Sequence, residues 1–320
     1  MSIFIGSVFS ITLFCVEILY FRLAERYNII DKPNERSSHI MATIRGGGII
    51  FLVAIILAGF GNPEYLIPIV GALIIGVISF IDDRITLSSR IRVIFHLIAV
   101  TLLFCFLPIF GIISWWGIIA LYILTIGIIN AYNFMDGING ITGLYSLVVL
   151  VGLQYVNLRE FSFIEVDMIW LPIISCLVFL YFNFRKKARC FAGDVGSITM
   201  AYWIIMLLMQ LIIKTGNYSY IFFLSVYGVE TALTIIHRLY LKHNIFDAHR
   251  LHLYQLMANE QKMSHLVVSS IYALLQLLII LLVVFSEFNF LTLAILILIP
   301  LIGIYIFMKP KLMVKSLIYN

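Results

Sequence analysis

The sequence predicts an all-α, polytopic membrane protein. Of its 320 residues, 62% are hydrophobic and only 12% charged, and the mean hydropathy is +1.08. A soluble domain carries roughly 25% charged residues. Apolar runs long enough to cross a hydrocarbon core of about 30 Å recur along the chain. They are continuous rather than alternating, which fits helices and not the strands of a membrane barrel.

About eleven spans follow, near 3–21, 46–60, 65–81, 92–110, 112–130, 140–156, 168–184, 197–213, 219–237, 266–285 and 290–308. The first has no preceding basic charge and is followed by FRLAERYN rather than small residues, so it reads as an uncleaved span. The second is short and opens on RGGGI; the third ends in IDDR. The fifth runs into NAYNFMDGING, and the eighth begins after FAGDVGS. The chain reads as one integral membrane domain over 1–320. Cys15, Cys105 and Cys176 fall in spans and read as small buried apolar groups, while Cys190 falls in a loop. No C-x-x-C spacing suggests zinc or a disulfide framework.

The basic residues predict the orientation. With the N-terminus outside, 19 of the 21 Lys and Arg fall on the cytoplasmic side, and only Arg159 and Lys214 on the other. The net charge of +5 is then the positive-inside rule and calls for no nucleic acid. The expected C-terminus is cytoplasmic.

The same side collects the chemistry. Asp31, Arg36, His39 and Arg45 lie in the first inner segment, Asp82 and Asp83 in the second, Asp136 in the third and Asp194 in the fourth. His237, His243, Asp247, His249, Arg250 and His252 lie in the fifth. A carrier is expected to place ionisable groups near the midplane. Acids gathered at one mouth suit a reaction with one reactant in water and another in lipid. Successive helix residues point about 100° apart, so Asp82 and Asp83 can divide labour between metal ligand and base, or simply end a span beside Arg84. Asp194, bracketed by glycines, suits Mg²⁺ or an ordinary helix N-cap. Asn130, Asn133 and Asp136 share one helical arc, and amides can read a base or an N-acetyl group. Arg250 between His249 and His252 suits phosphate better than zinc. The three glycines of RGGGI open a helix whose N–H groups suit an anion. Four mutually repelling acids beside Arg and His imply a cation and phosphoryl transfer. Glu17 and Glu230 lie within spans; Glu230 falls near the inner end, and Glu17 has no evident role.

These motifs, in order from about residue 28 to 257, resemble those of the polyprenyl-phosphate N-acetylhexosamine-1-phosphate transferases, which include the phospho-MurNAc-pentapeptide translocase. The matching stretches are D-x-P-N-x-R-S-S-H, R-G-G-G, DD, N-A-x-N-x-x-D-G, F-x-G-D-x-G-S and A-H-R-x-H-x-Y-Q. The resemblance implies a bacterial inner-membrane enzyme with its site on cytoplasmic loops. It would transfer HexNAc-1-phosphate from a UDP-N-acetylhexosamine to undecaprenyl phosphate. The products are undecaprenyl-diphosphate-sugar and UMP, an opening step for a surface polysaccharide such as lipopolysaccharide or for a cell-wall glycan. It also implies Mg²⁺, with Mn²⁺ as a substitute, and a homodimer. Carried onto this chain, Asp82 and Asp194 hold the metal and Asp83 orients or deprotonates the lipid phosphate, with the roles of Asp82 and Asp83 exchangeable. Asp136, Asn133 and Asn130 form the nucleotide-sugar wall, and Phe191 stacks on uracil. Arg250, His252 and the catalytic His249 hold the diphosphate; Arg36 and His39 meet the lipid phosphate. The family's DGIDG is DGING here, with Asn139, and its prolines before R-G-G-G are absent. The competing expectation is a transporter or lipid flippase without covalent chemistry.

Overall fold

The computed structural model describes residues 3–31, 42–244 and 250–318. The helices are α1 (Ile3–Arg26), α2 (Ile49–Phe60), α3 (Leu66–Arg84), α4 (Ser89–Phe106), the single turn α5 (Ile109–Ile112), α6 (Trp115–Met135) and α7 (Ile141–Tyr155). After these come α8 (Asp167–Asn183), α9 (Gly193–Thr215), α10 (Ser225–Tyr240), the short α11 (Leu253–Gln255), α12 (His265–Phe285) and α13 (Phe290–Ile318). Among the described residues, nine helical segments are long and apolar enough to cross a membrane. The other two expected spans are the shorter apolar helices α2 and α8.

Helix α9 is the central post. Nearly every side chain from Val195 to Leu208 is buried, against α2, α3, α6 and α7. Outer helices such as α1, α4 and α13 instead present Ile, Leu and Phe outward, as a bundle solvated by hydrocarbon does. The same reason corrects the expectation for two cysteines. Cys15 and Cys105 lie on the outer surface, where a small thiol is at home in lipid; Cys176 and Cys190 are buried. The Tyr145 and Tyr227 rings stack 3.6 Å apart. The Tyr145 hydroxyl donates to Gln276 Oε1 at 2.7 Å, joining α7, α10 and α12.

The helix ends that carry the polar motifs meet at one end of the bundle. There the sequence did not announce a small β element. Strand β1 (Ile30–Asp31) pairs antiparallel with β2 (Thr43–Ile44), and Ile44 bridges in parallel to Cys190. Backbone groups without a helical partner must find one elsewhere, and this ladder supplies it. Two helices also run further than hydropathy alone placed them. Helix α3 continues through Asp82 and Asp83, and α9 begins at Gly193, so these acids sit on helix ends rather than on loops.

Candidate active site at the polar end of the bundle

The glycine-rich turn 46–48 lies against residues 190–196. Phe191 N donates to Ile44 O at 2.8 Å, Gly47 N to Phe191 O at 2.8 Å and Gly48 N to Ala192 O at 3.0 Å. The N–H groups expected to receive an anion at RGGGI are thus used within the backbone. The N-termini of α2 and α9 touch at Gly48 and Gly196, where a Cβ on Gly48 would fall 2.3 Å from the Gly196 Cα. Gly193 has φ +70°, and a Cβ there would meet Asp83 Oδ2 at 2.6 Å. Glycine is therefore required in both places by close approach.

That space admits Asp83. Its Oδ1 accepts from Asp194 N at 3.0 Å and its Oδ2 from Val195 N at 3.1 Å. A carboxylate from α3 thereby caps the N-terminus of α9, where the helix dipole favours negative charge. Asp194 itself lies in the first turn of α9 rather than at its N-cap, which is Ala192. Arg45 Nε donates to Asp83 Oδ1 at 2.7 Å, and its Nη2 lies 3.7 Å from Asp194 Oδ1. Asp83 and Asp194 thus face each other across one guanidinium. Asp82 turns the other way: its Oδ1 accepts from Leu87 N at 2.6 Å, and its Oδ2 lies 3.3 Å from Arg92 Nη1. The structure places Asp83, not Asp82, against Asp194, as the angle between successive helix residues requires.

The Asn-rich wall stands beside them. Asn133 Oδ1 accepts from Ser197 Oγ at 3.4 Å, close to one turn after Asp194 on α9. Asp136 closes α6 and accepts from Thr142 Oγ1 at 2.7 Å. Burial pushes its carboxyl up to about 7, against the opposing effect of the Thr142 hydrogen bond. Asn130 is turned back on its own helix and donates to Ile126 O at 2.9 Å, so only two members of the expected arc point at the site.

Asn139 has a different task. It is buried; its Nδ2 donates to Arg185 O at 2.8 Å, its backbone N to His265 Nδ1 at 3.4 Å, and its O accepts from Ser269 Oγ at 2.7 Å. Next to it, Gly140 N donates to Asn183 Oδ1 at 2.6 Å, and Asn183 Nδ2 to Cys190 O at 2.8 Å. An Asp at 139 could not donate to the Arg185 carbonyl. Asn139→Asp is expected to destabilise the fold by about 2 kcal/mol, the usual loss when a buried acceptor is left facing another. Thermal unfolding in detergent, compared with the parent chain, checks this.

On the far side of the turn, Cys190 Sγ donates to Glu17 Oε1 at 3.5 Å, and a Cβ at Gly47 would come within 3.0 Å of that same oxygen. Burial and the adjacent carboxyl push the Cys190 thiol well above its ordinary range. Glu17 therefore backs the glycine turn. The stretch from Arg250 to Gln255 meets the Asn-rich wall through Tyr254, whose hydroxyl donates to Phe134 O at 2.9 Å and lies over Gly137. His252 is buried, 3.7 Å from Glu230 Oε1, with its ring 6.4 Å from that of Phe134. Arg250 is half-buried just before it, and Phe191 is half-buried in the 190–192 segment.

The structure therefore brings Asp83, Asp194, Asn133 and Asp136 together and sets His252 behind the wall at Phe134. Arg36, His39 and His249 lie outside the described residues. Arg45, Thr142 and Ser197 were not singled out as site residues; a lone Arg before three glycines was the one available hint. The donors suit Mg²⁺, a hard cation that takes one or two carboxylates and completes its shell with phosphate and water. Among the described residues, no group of three or more His, Cys, Asp or Glu is placed to hold a metal. An ion here would draw the rest of its ligands from substrate.

Carboxylates and a guanidinium thus gather where the helices of an all-α polytopic bundle end. Residues 65–212 match the model of glycosyl transferase family 4, and the resemblance to the polyprenyl-phosphate N-acetylhexosamine-1-phosphate transferases is borne out. The matched region contains Asp82, Asp83, Asn130, Asn133, Asp136, Phe191 and Asp194. A probable undecaprenyl-phosphate N-acetylglucosaminyl 1-phosphate transferase of Bacillus subtilis is 26% identical over 258 residues, covering 74% of this chain and 72% of that protein. A phospho-N-acetylmuramoyl-pentapeptide-transferase of Thermotoga neapolitana is 28% identical over 208 residues, covering 59% and 67%. A decaprenyl-phosphate N-acetylglucosaminephosphotransferase of Mycobacterium leprae is 28% identical over 216 residues, covering 55% and 52%, so the match spans about half of that relative.

Proposed function

We propose that the chain is a Mg²⁺-dependent phosphotransferase that moves HexNAc-1-phosphate from a UDP-N-acetylhexosamine to undecaprenyl phosphate. The observation that carries this reading is the trio of Asp83, Arg45 and Asp194 beside Asn133, at the end of the bundle where donor and lipid headgroup can meet. The names of the relatives supply the substrate classes. The Lys and Arg asymmetry supports a cytoplasmic position for this end, and the bacterial relatives support an inner membrane.

In the reaction an oxygen of the lipid phosphate forms a new bond to the sugar-linked phosphorus. The bond from that phosphorus to the bridging oxygen breaks, and its electron pair leaves with UMP. Bound Mg²⁺ supplies charge neutralisation at the diphosphate. Asp194 would hold the ion, and Asp83 is favoured as the second carboxylate because it faces Asp194. That leaves Asp82, at the helix end with Arg92, to orient or deprotonate the lipid phosphate. Arg45 lies where it can offset charge developing on the transferred group. Asn133 and Asp136 read the nucleotide sugar, and Arg250 and His249 grip the diphosphate, with the buried His252 supporting this segment from behind the wall. A carrier would instead need ionisable groups lining a path through the midplane; Asp82, Asp83, Asp136 and Asp194 all lie at one end.

Detergent-purified protein supplied with undecaprenyl phosphate, Mg²⁺ and a panel of UDP-HexNAc donors is expected to release UMP with one of them. EDTA is expected to stop release, and added Mg²⁺ to restore it. No release with any donor from folded protein would overturn the reading.

A further inference from the structure

Helix α10 carries Glu230, Thr234 and Arg238 four residues apart, all buried, so they form one stripe. Glu230 Oε1 accepts from Tyr254 N at 3.2 Å, and its other oxygen accepts from the Tyr272 hydroxyl of α12. Arg238 Nη2 donates to Asn244 O. Both ends of the segment from 244 to 254 therefore hang on one helix face. That segment contains Arg250 and His252, and through Tyr254 it reaches the Asn-rich wall at Phe134 O.

Helix α13 covers the stripe. The Tyr305 hydroxyl is 2.9 Å from Thr234 Oγ1. Lys309, one turn on, donates to that same hydroxyl, and its ammonium lies 4.6 Å from the Tyr305 ring centroid. Lys309 is only 3% exposed, although most of α13 faces outward. A lysine buried in an apolar span is expensive to keep there, and such residues usually serve a site. A helix needed only for anchoring would carry Leu or Met at this position.

We propose that Lys309 and Tyr305 are positioning residues of the transferase site. By fixing the stripe of α10 they set the Arg250–Tyr254 segment at its distance from the Asn-rich wall. They touch no substrate. This rests on the function proposed above for the substrate effect, but not for the structural one.

The test uses the full chain in detergent with Lys309→Met, Lys309→Arg and Tyr305→Phe. Hydrogen exchange needs no activity: in Lys309→Met the amides of 250–258 are expected to exchange about tenfold faster, with α9 unchanged. In UMP release, Lys309→Met and Tyr305→Phe are expected to raise KM for the UDP-sugar about fivefold and to leave kcat within about twofold, because a binding wall has moved and the acids have not. Lys309→Arg, which keeps the cation and a donor, is expected to recover most of the loss. Equal exchange in 250–258 for parent and Lys309→Met, or faster exchange spread evenly over α9 as well, overturns the proposal. So does an unchanged KM in an active Tyr305→Phe variant. A parent chain that releases no UMP refutes the function above, while the exchange result still decides this inference.

Discussion

Asp194→Asn is expected to lower UMP release about a thousandfold, the scale of loss when one preorganised charge-stabilising group is removed from a reaction centre. The side chain changes by one atom, and the structure explains why the fold should survive. The hydrogen bonds that tie α9 to α3 use the backbone N–H groups of residues 194 and 195, not the Asp194 side chain. That side chain is approached by Arg45 Nη2 at 3.7 Å. What disappears is one negative charge beside Arg45 and one hard oxygen ligand. The measurement is UMP release at saturating donor and lipid, with thermal unfolding run in parallel. Activity within tenfold of the parent would show that Asp194 is not essential.

Gly48→Ala is expected to produce the largest loss of stability, about 3 kcal/mol, at the upper end of ordinary overpacking. The new methyl would fall 2.3 Å from the Gly196 Cα and 2.8 Å from the Ala192 carbonyl oxygen. Both are backbone atoms at the start of α9, which is locked among four other helices and cannot give way. Gly61, by contrast, has nothing within 4 Å of the same position, so Gly61→Ala is the matched control with little effect expected. Unfolding can be followed with a thiol-reactive dye, since Cys176 and Cys190 are buried. Replacing the outward-facing Cys15 and Cys105 with Ser first removes their background. An unchanged midpoint for Gly48→Ala would show that the starts of α2 and α9 do not press on each other at Gly48.

Much of the fold was legible because a continuous apolar run has few other fates, and because each span end was marked by a polar motif. The ends themselves were less so. Hydrogen bonding carries α3 past the hydrophobic boundary to Arg84, so Asp82 and Asp83 point in different directions from a helix instead of sharing a loop. The strands Ile30–Asp31 and Thr43–Ile44 are two residues each and show no alternation that a pattern could register. Residue types named the site: Asp, Asn and Arg at one mouth. Their pairing was not legible, since the bonds between Arg45 and Asp83 and between Asp83 and α9 join distant segments, about which local periodicity says nothing. Asn130 shared a helical arc with Asn133 and still turned back onto its own helix, because an amide at a half-buried position can bond the carbonyl one turn earlier.

The parallel contact between residues 44–48 and 190–192 also bears on how the chain is made. The glycine turn leaves the ribosome long before the segment that accepts its N–H groups. Until Phe191 and Ala192 arrive, the N–H groups of Gly47 and Gly48 lack the carbonyl acceptors they hold in the finished protein. The candidate site is thus a late product of biosynthesis: seven of the expected spans precede Cys190, before Asp83 and the start of α9 can meet. A nascent chain arrested ahead of Cys190 should hold its spans but no centre, with Asp83 still waiting for the helix start that it caps.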